Sequence, residues 1–238
     1  MRTLNLFALG FSIFARLSGA TAEKPPLQHE MMGVANGCFV ETIAFLDHWQ
    51  ERFGGDAWAR MLQWGAKADE EVVAGHAVAV CDAKGKLWCW DINFGWKPVP
   101  VDAAQREDTQ VVSASVLARY PKISAFFPVY RADVLQAAME SPPAAQATSD
   151  NASIRDASLV GERLARHRAV NVVRFSRQVG GDTIESAAAV FLFNGRYCVY
   201  VPEVGTIPFR TRGGVENLRL ILECLRRMAP GAMNVRKL

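Results

Sequence analysis

The sequence predicts an α+β protein in which a helix packs on an antiparallel sheet, with a degenerate second copy of that unit in the C-terminal half. Three observations predict it. Segments with apolar residues at helical spacing are interleaved with segments of period-two alternation, and the latter pair around glycine turns. His76–Asp91 aligns without a gap on Ser186–Val201. Half of the 238 residues are hydrophobic and 21% are charged, enough apolar material for one core or two small ones.

Met1–Ala22 has the pattern of a secretory signal. Arg2 gives the positive start, Leu4, Leu6, Phe7, Leu9, Phe11, Ile13 and Phe14 the apolar stretch, and Ala20-Thr21-Ala22 a small-residue cleavage site. The expected location is secreted or periplasmic. No integral membrane segment is expected after signal removal, because no other apolar stretch is long enough to span a bilayer.

The first unit is expected over residues 23–140. A helix starts at or just before Cys38, with Phe39, Val40, Ile43, Ala44, Leu46 and Trp49 at helical spacing, and Gly54-Gly55 ends it. Asp47-His48 falls on its solvated face. Asp56 is placed to cap a second helix carrying Trp58, Met61, Leu62 and Trp64. Strands at 75–82 and 86–93 follow, joined by a tight turn within Ala83-Lys84-Gly85, and then helices at about 108–119 and 132–140. Residues 141–152 are small and polar and read as a linker. The second unit, 153–238, carries a helix to about Arg168, strands at 170–178, 186–193 and 196–202, and a final helix at 215–228.

In the repeat alignment Gly85 falls on Gly195, Gly95 on Gly205 and Pro98 on Pro208. Two explanations stay open: a duplication, or two hairpins that merely share a glycine turn. In a duplication, Ser153, Ser186 and Val201 stand where the first unit has Cys38, His76 and Asp91, and the second copy is catalytically dead.

Net charge is +3, without a long Lys/Arg run, so no nucleic-acid partner is indicated. Five cysteines leave one unpaired in any full pairing; Cys81 and Cys89 lie on neighbouring strands, where a bridge or two buried thiols are both possible. No Cys/His spacing suggests zinc, and Gly180-Gly181 lacks a following phosphate-loop lysine.

The residues that can carry chemistry are Cys38, His76 and Asp91. A nucleophilic thiol must be deprotonated, and a helix N-terminus favours the anion through its unpaired N–H groups and dipole. Cys38 follows Asn36-Gly37, where a loop enters a helix, and its own N–H is a candidate oxyanion donor. The thiol needs a base and the base an orienting group. An Ala83-Lys84 turn sets Asp91 directly opposite His76; a Lys84-Gly85 turn sets Asn93 there, so Asp91 is the first choice and Asn93 the alternative.

Asn36-Gly37-Cys38 opening a helix, then Gly75-His76-Ala77-Val78, then Leu87-Trp88-Cys89-Trp90-Asp91, resembles the papain-like superfamily, and its bacterial transglutaminase-like cysteine peptidases in particular. The resemblance covers roughly residues 28–100. It implies an exported thiol hydrolase that cleaves a peptide or amide bond through an acyl-enzyme on Cys38, with His76 as base and acid, Asp91 orienting it, and no cofactor or metal. A peptide or protein substrate is implied. A transglutaminase-type acyltransferase with the same triad, or a catalytically inactive envelope binding protein of the same fold, are the alternatives. Papain-like enzymes often place a Gln a few residues before the Cys; here the nearest is Gln28, ten residues upstream, with Asn36 and His29 as other candidate oxyanion donors.

Overall fold

The computed structural model describes residues 24–68, 71–120, 150–209 and 214–238. The expected signal at 1–22, the helix expected at 132–140 and most of the expected linker, 141–149, lie outside them.

Helix α1 (Cys38–Phe53) starts at the expected residue. Where a second helix is expected from Asp56, the chain instead enters strand β1 (Ala59–Ala68). Trp58, Leu62 and Trp64 face one side and Ala59 and Met61 the other, a period of two. In so short a run the same residues also fit a helical stripe, and burial against two layers decides for the strand. Strands β2 (Glu71–Ala83), β3 (Lys86–Asp91) and β4 (Gly95–Asp102) complete an antiparallel sheet in the order β1-β2-β3-β4. Helix α2 (Thr109–Leu117) follows, capped by the Asp108 carboxylate, which accepts from the N–H groups of Gln110 and Val111.

The second half repeats this order. Helix α3 (Asp150–Leu164) leads to β5 (Val170–Val179), β6 (Asp182–Phe193), β7 (Arg196–Val201) and β8 (Gly205–Phe209), then to α4 (Leu218–Met228). A last strand, β9 (Met233–Lys237), extends the antiparallel sheet to β8-β7-β6-β5-β9.

The hairpins match in register as well as order. Ala79 pairs with Trp90 and Ala189 with Tyr200, a shift of 110 residues (79 to 189, 90 to 200), and Trp88–Pro98 and Cys198–Pro208 keep the same shift. Both turns use two residues of positive φ, Lys84-Gly85 (56° and 76°) and Asn194-Gly195 (48° and 73°), which suits the right-handed twist of the strands. The Lys84-Gly85 turn corrects the expectation that Asp91 lies directly opposite His76. One equivalence also moves. The Thr42 hydroxyl meets the Ala77 carbonyl, and the Ser153 hydroxyl accepts from Ala187 N–H. Ser153 therefore corresponds to Thr42, and the counterpart of Cys38 falls at position 149, outside the described residues.

The layers run α2, first sheet, α1 beside α3, second sheet, α4. The first sheet turns Ala79, Cys81 and Trp90 towards Phe45 and Trp49 of α1, and Leu62, Val78, Val80 and Cys89 towards Val112 and Val116 of α2. The second turns Ala189, Phe191, Cys198 and Tyr200 towards Val40 and Ile43 of α1 and Val160 and Leu164 of α3; α4 covers its other face. Helix α1 is thus enclosed from both sides, and Val40, Ile43 and Phe45 are fully buried. Each such side chain contributes roughly 1.5–3 kcal/mol of burial. Asp47, expected on a solvated face, is buried at this seam and pairs with Arg168. Cys81 and Cys89 project to opposite faces of the sheet, and all five cysteines are free. No helix among the described residues is long and apolar enough to cross a membrane.

Candidate active site

Cys38 is the first residue of α1 and follows Gly37, a cap position without a side chain. Glycine is required there: a Cβ would stand 2.6 Å from Val34 Cγ2 and 2.8 Å from the Val34 carbonyl oxygen. The thiol is half-buried, with Sγ 3.9 Å from the Gly75 carbonyl oxygen, at the positive end of the helix dipole. Thr42 Oγ1 lies 2.7 Å from the Cys38 carbonyl and 3.1 Å from that of Ala77, which ties the first turn of α1 to β2 beside His76.

His76 pairs with Trp64 across β1 and β2. Its Nε2 lies 3.3 Å from Asp91 Oδ2, and the Cys38 side chain is close enough to raise its pKa. His76 thus pairs with Asp91 and lies near Cys38. Asp91 reaches it diagonally across the hairpin, a separation that same-face side chains can bridge. Burial by itself lowers the imidazole pKa. The hydrogen bonds and charges of Asp91 and Cys38 outweigh it and raise the pKa from 6.5 to about 9. His76 therefore holds its proton at neutral pH.

Asp91 is only 1% exposed and its carboxylate is well satisfied. Oδ1 accepts from Asn93 N–H at 2.6 Å; Oδ2 accepts from the Tyr120 hydroxyl as well as facing His76. Tyr120 escaped the sequence reading. It lies just past α2, with its ring 5.8 Å from His76 and 5.2 Å from Trp64. Its one sequence signal is an aromatic side chain directly before Pro121 at the end of a helix.

The secondary candidates are not brought to the thiol. Asn93 has left the strand for the turn into β4; its side chain is exposed, and only its backbone serves Asp91. Asn36 Nδ2 donates to the Pro202 carbonyl at 2.8 Å, so its amide is committed elsewhere. Gln28 lines a cavity of about 300 Å³ with Ala44, His48 and Arg163, further along α1. His29 faces His48, Nδ1 to Nδ1 at 3.2 Å, and burial, Arg163 and His48 depress its pKa to about 4. Among the described residues no group of three or more His, Cys, Asp or Glu side chains is placed to hold a metal ion.

The four other thiols are buried, and burial pushes three of them, Cys89, Cys198 and Cys224, up to about 12. In the second half, Ser186 stands in the place of His76. It accepts from Arg177 Nε at 3.0 Å, and Arg177 Nη2 lies 3.2 Å from Glu203 Oε1, with the Arg and Glu side chains 3% and 0% exposed. A buried ion pair thus fills the region that holds the imidazole in the first half.

Comparison with protein-family models, curated proteins and solved structures found no match to this chain.

Proposed function

We propose that the protein is an exported thiol hydrolase of papain-like or bacterial transglutaminase-like type, acting on a peptide or amide bond. The observation that carries this reading is the His76–Asp91 pair, 3.3 Å apart, beside Cys38 at a helix N-terminus. Cys38 reacts as the thiolate of a thiolate–imidazolium pair, its proton already on His76, and sulfur attacks the carbonyl carbon; backbone N–H groups at the start of α1 would face the developing oxyanion. Collapse of the tetrahedral intermediate breaks the C–N bond, and His76 returns its proton to the leaving amine. Water then attacks the thioester, giving up a proton through His76, and releases acid and thiol. Asp91 keeps the imidazole oriented and stabilises its charged form. The exported location rests on the Met1–Ala22 pattern.

The test is the rate of alkylation by iodoacetamide near neutral pH, followed by mass spectrometry. Cys38 should react well ahead of free cysteine, and His76→Ala should abolish the excess. A wild-type rate no higher than that of free cysteine sinks the enzyme reading. A second reading, a binding protein that has lost turnover, is favoured by one observation: the amide of Asn36, a candidate oxyanion donor, is engaged with Pro202. A reactive Cys38 that forms a stable acyl adduct and turns over no peptide would support it. Acyl transfer by the same residues would show as product formation that depends on an added amine.

A further inference from the structure

The loop that delivers Cys38 is held by the other half of the chain. Both backbone polar groups of Ala35 are used there: its N–H donates to Asp156 Oδ2 at 3.2 Å, and its carbonyl accepts from the Tyr200 hydroxyl at 2.7 Å. The next residue, Asn36, has φ 48° and donates to the Pro202 carbonyl. Gly205 completes the contact, because a Cβ there would come within 3.4 Å of the Asn36 carbonyl oxygen. Asp156 is 5% exposed and Tyr200 0%, so these are anchors fixed in a core and not surface contacts. Burial and the neighbouring carboxylates raise the Tyr200 phenol far above its ordinary range, which keeps it a donor at all working pH values.

The turn between β7 and β8 is itself braced. It contains Pro202 and Glu203, and Glu203 is the partner of the buried Arg177. In the first half, the corresponding turn between β3 and β4 supplies the Asn93 N–H that fixes Asp91. The same structural element therefore serves the base in one half and the nucleophile loop in the other.

We infer that the second half is a positioning element for the thiol. Tyr200, Asp156 and the Pro202 carbonyl hold Ala35 and Asn36, and so fix where Cys38 stands beside β2 and His76. Tyr200 and Asp156 are positioning residues that act through Ala35; neither touches the reacting atoms. The inference rests on the thiol reading above. It gives the second half a specific role, because the Arg177–Glu203 ion pair stiffens the turn that grips the loop.

The experiment uses the full chain with two variants and a control. Tyr200→Phe removes one hydroxyl. Asn36→Gly removes the amide while tolerating positive φ. Tyr197→Phe removes an equally buried hydroxyl from the same strand, on the face that packs against α4, away from the loop. Two readouts are taken on protein shown by circular dichroism to be folded: the alkylation rate of Cys38 and the titration midpoint of His76. Tyr200→Phe and Asn36→Gly should each slow alkylation about tenfold, since small misplacements of a reacting group have large rate effects. Both should lower the His76 midpoint from about 9, because part of that elevation comes from Cys38. Tyr197→Phe should change neither. Wild-type rate and midpoint in the Tyr200 and Asn36 variants would overturn the inference, as would an equal effect in Tyr197→Phe. Should Tyr200→Phe fail to fold, Asn36→Gly decides alone. Failure of the underlying reading looks different: Cys38 is then unreactive in the wild type, and His76→Ala changes nothing.

Discussion

Replacing Asp91 by Asn keeps the shape of the side chain and removes its charge. In the wild type, His76 is raised from 6.5 to about 9 against the opposing effect of burial. That net difference of about 2.5 pH units corresponds to roughly 3.4 kcal/mol between the two protonation states at 1.36 kcal/mol per unit. Asp91 and Cys38 both contribute, and the hydrogen bond to Asp91 is the largest single raising effect. With the charge gone and burial unchanged, the midpoint should fall by about 1.5–2.5 units, or roughly 2–3.4 kcal/mol. At pH 8 the protonated fraction would drop from about 0.9 to about 0.03–0.24. The assay is an NMR titration of the imidazole carbons, with His76 assigned among the four histidines by its absence in His76→Ala. Stability supplies a linked check. Since the folded-state pKa lies above the unfolded value, the contribution of His76 is fully present below pH 6.5 and is lost as pH rises through about 9. Denaturant unfolding at pH 6 and pH 9.5 should therefore show a loss in the wild type that is much smaller in Asp91→Asn. A variant whose His76 still titrates within about half a unit of 9 would refute the assignment of Asp91 as the group that holds the imidazolium.

Tyr120→Phe removes a donor to the buried Asp91 carboxylate, and should lower denaturant stability by about 1.5–3 kcal/mol while His76 continues to titrate near 9. Gly37→Ala drives a Cβ into the Val34 backbone and side chain; a loss of about 2–4 kcal/mol in denaturant unfolding, with slowed Cys38 alkylation, is expected. Near-wild-type values for either measurement would show that the loop yields easily. His29 works in the opposite sense from His76. Its pKa is depressed to about 4, so its contribution is present above pH 6.5 and disappears as pH falls through about 4. His29→Phe should flatten the stability profile between pH 6.5 and 4, an effect of roughly 1–2 kcal/mol once solvent screening of the partly exposed ring is allowed for.

The triad order and the helix start at Cys38 were legible because each has a local cause. Asn36-Gly37 breaks the chain ahead of an amphipathic run, and Ala83-Lys84-Gly85 forces a hairpin. The register was legible only to within one residue, since either pair from that tripeptide can form the turn. It was Lys84-Gly85 that turned, and Asp91 keeps its role because a diagonal partner on the same face is still within reach. Strand β1 was hidden because Trp58, Met61, Leu62 and Trp64 satisfy two periodicities at once. Tyr120 and Tyr200 were not legible as site residues at all. Each acts across the fold, Tyr120 over 29 residues to Asp91 and Tyr200 over 165 to Ala35, and no spacing rule connects such positions. Asp47 was misplaced for the same reason: its partner, Arg168, lies 121 residues away.

Helix α1 has an inner and an outer obligation, for it fills the first sheet with Phe45 and Trp49 and the second with Val40 and Ile43. A chain cut between the halves would leave one of those faces bare, a greasy ridge with no lid. The two halves therefore share one core through α1. Changes at Ala189, Phe191 or Cys198 must be answered on α1, one residue away from the thiol at Phe39, so the C-terminal half is coupled through packing to the half that carries the proposed site.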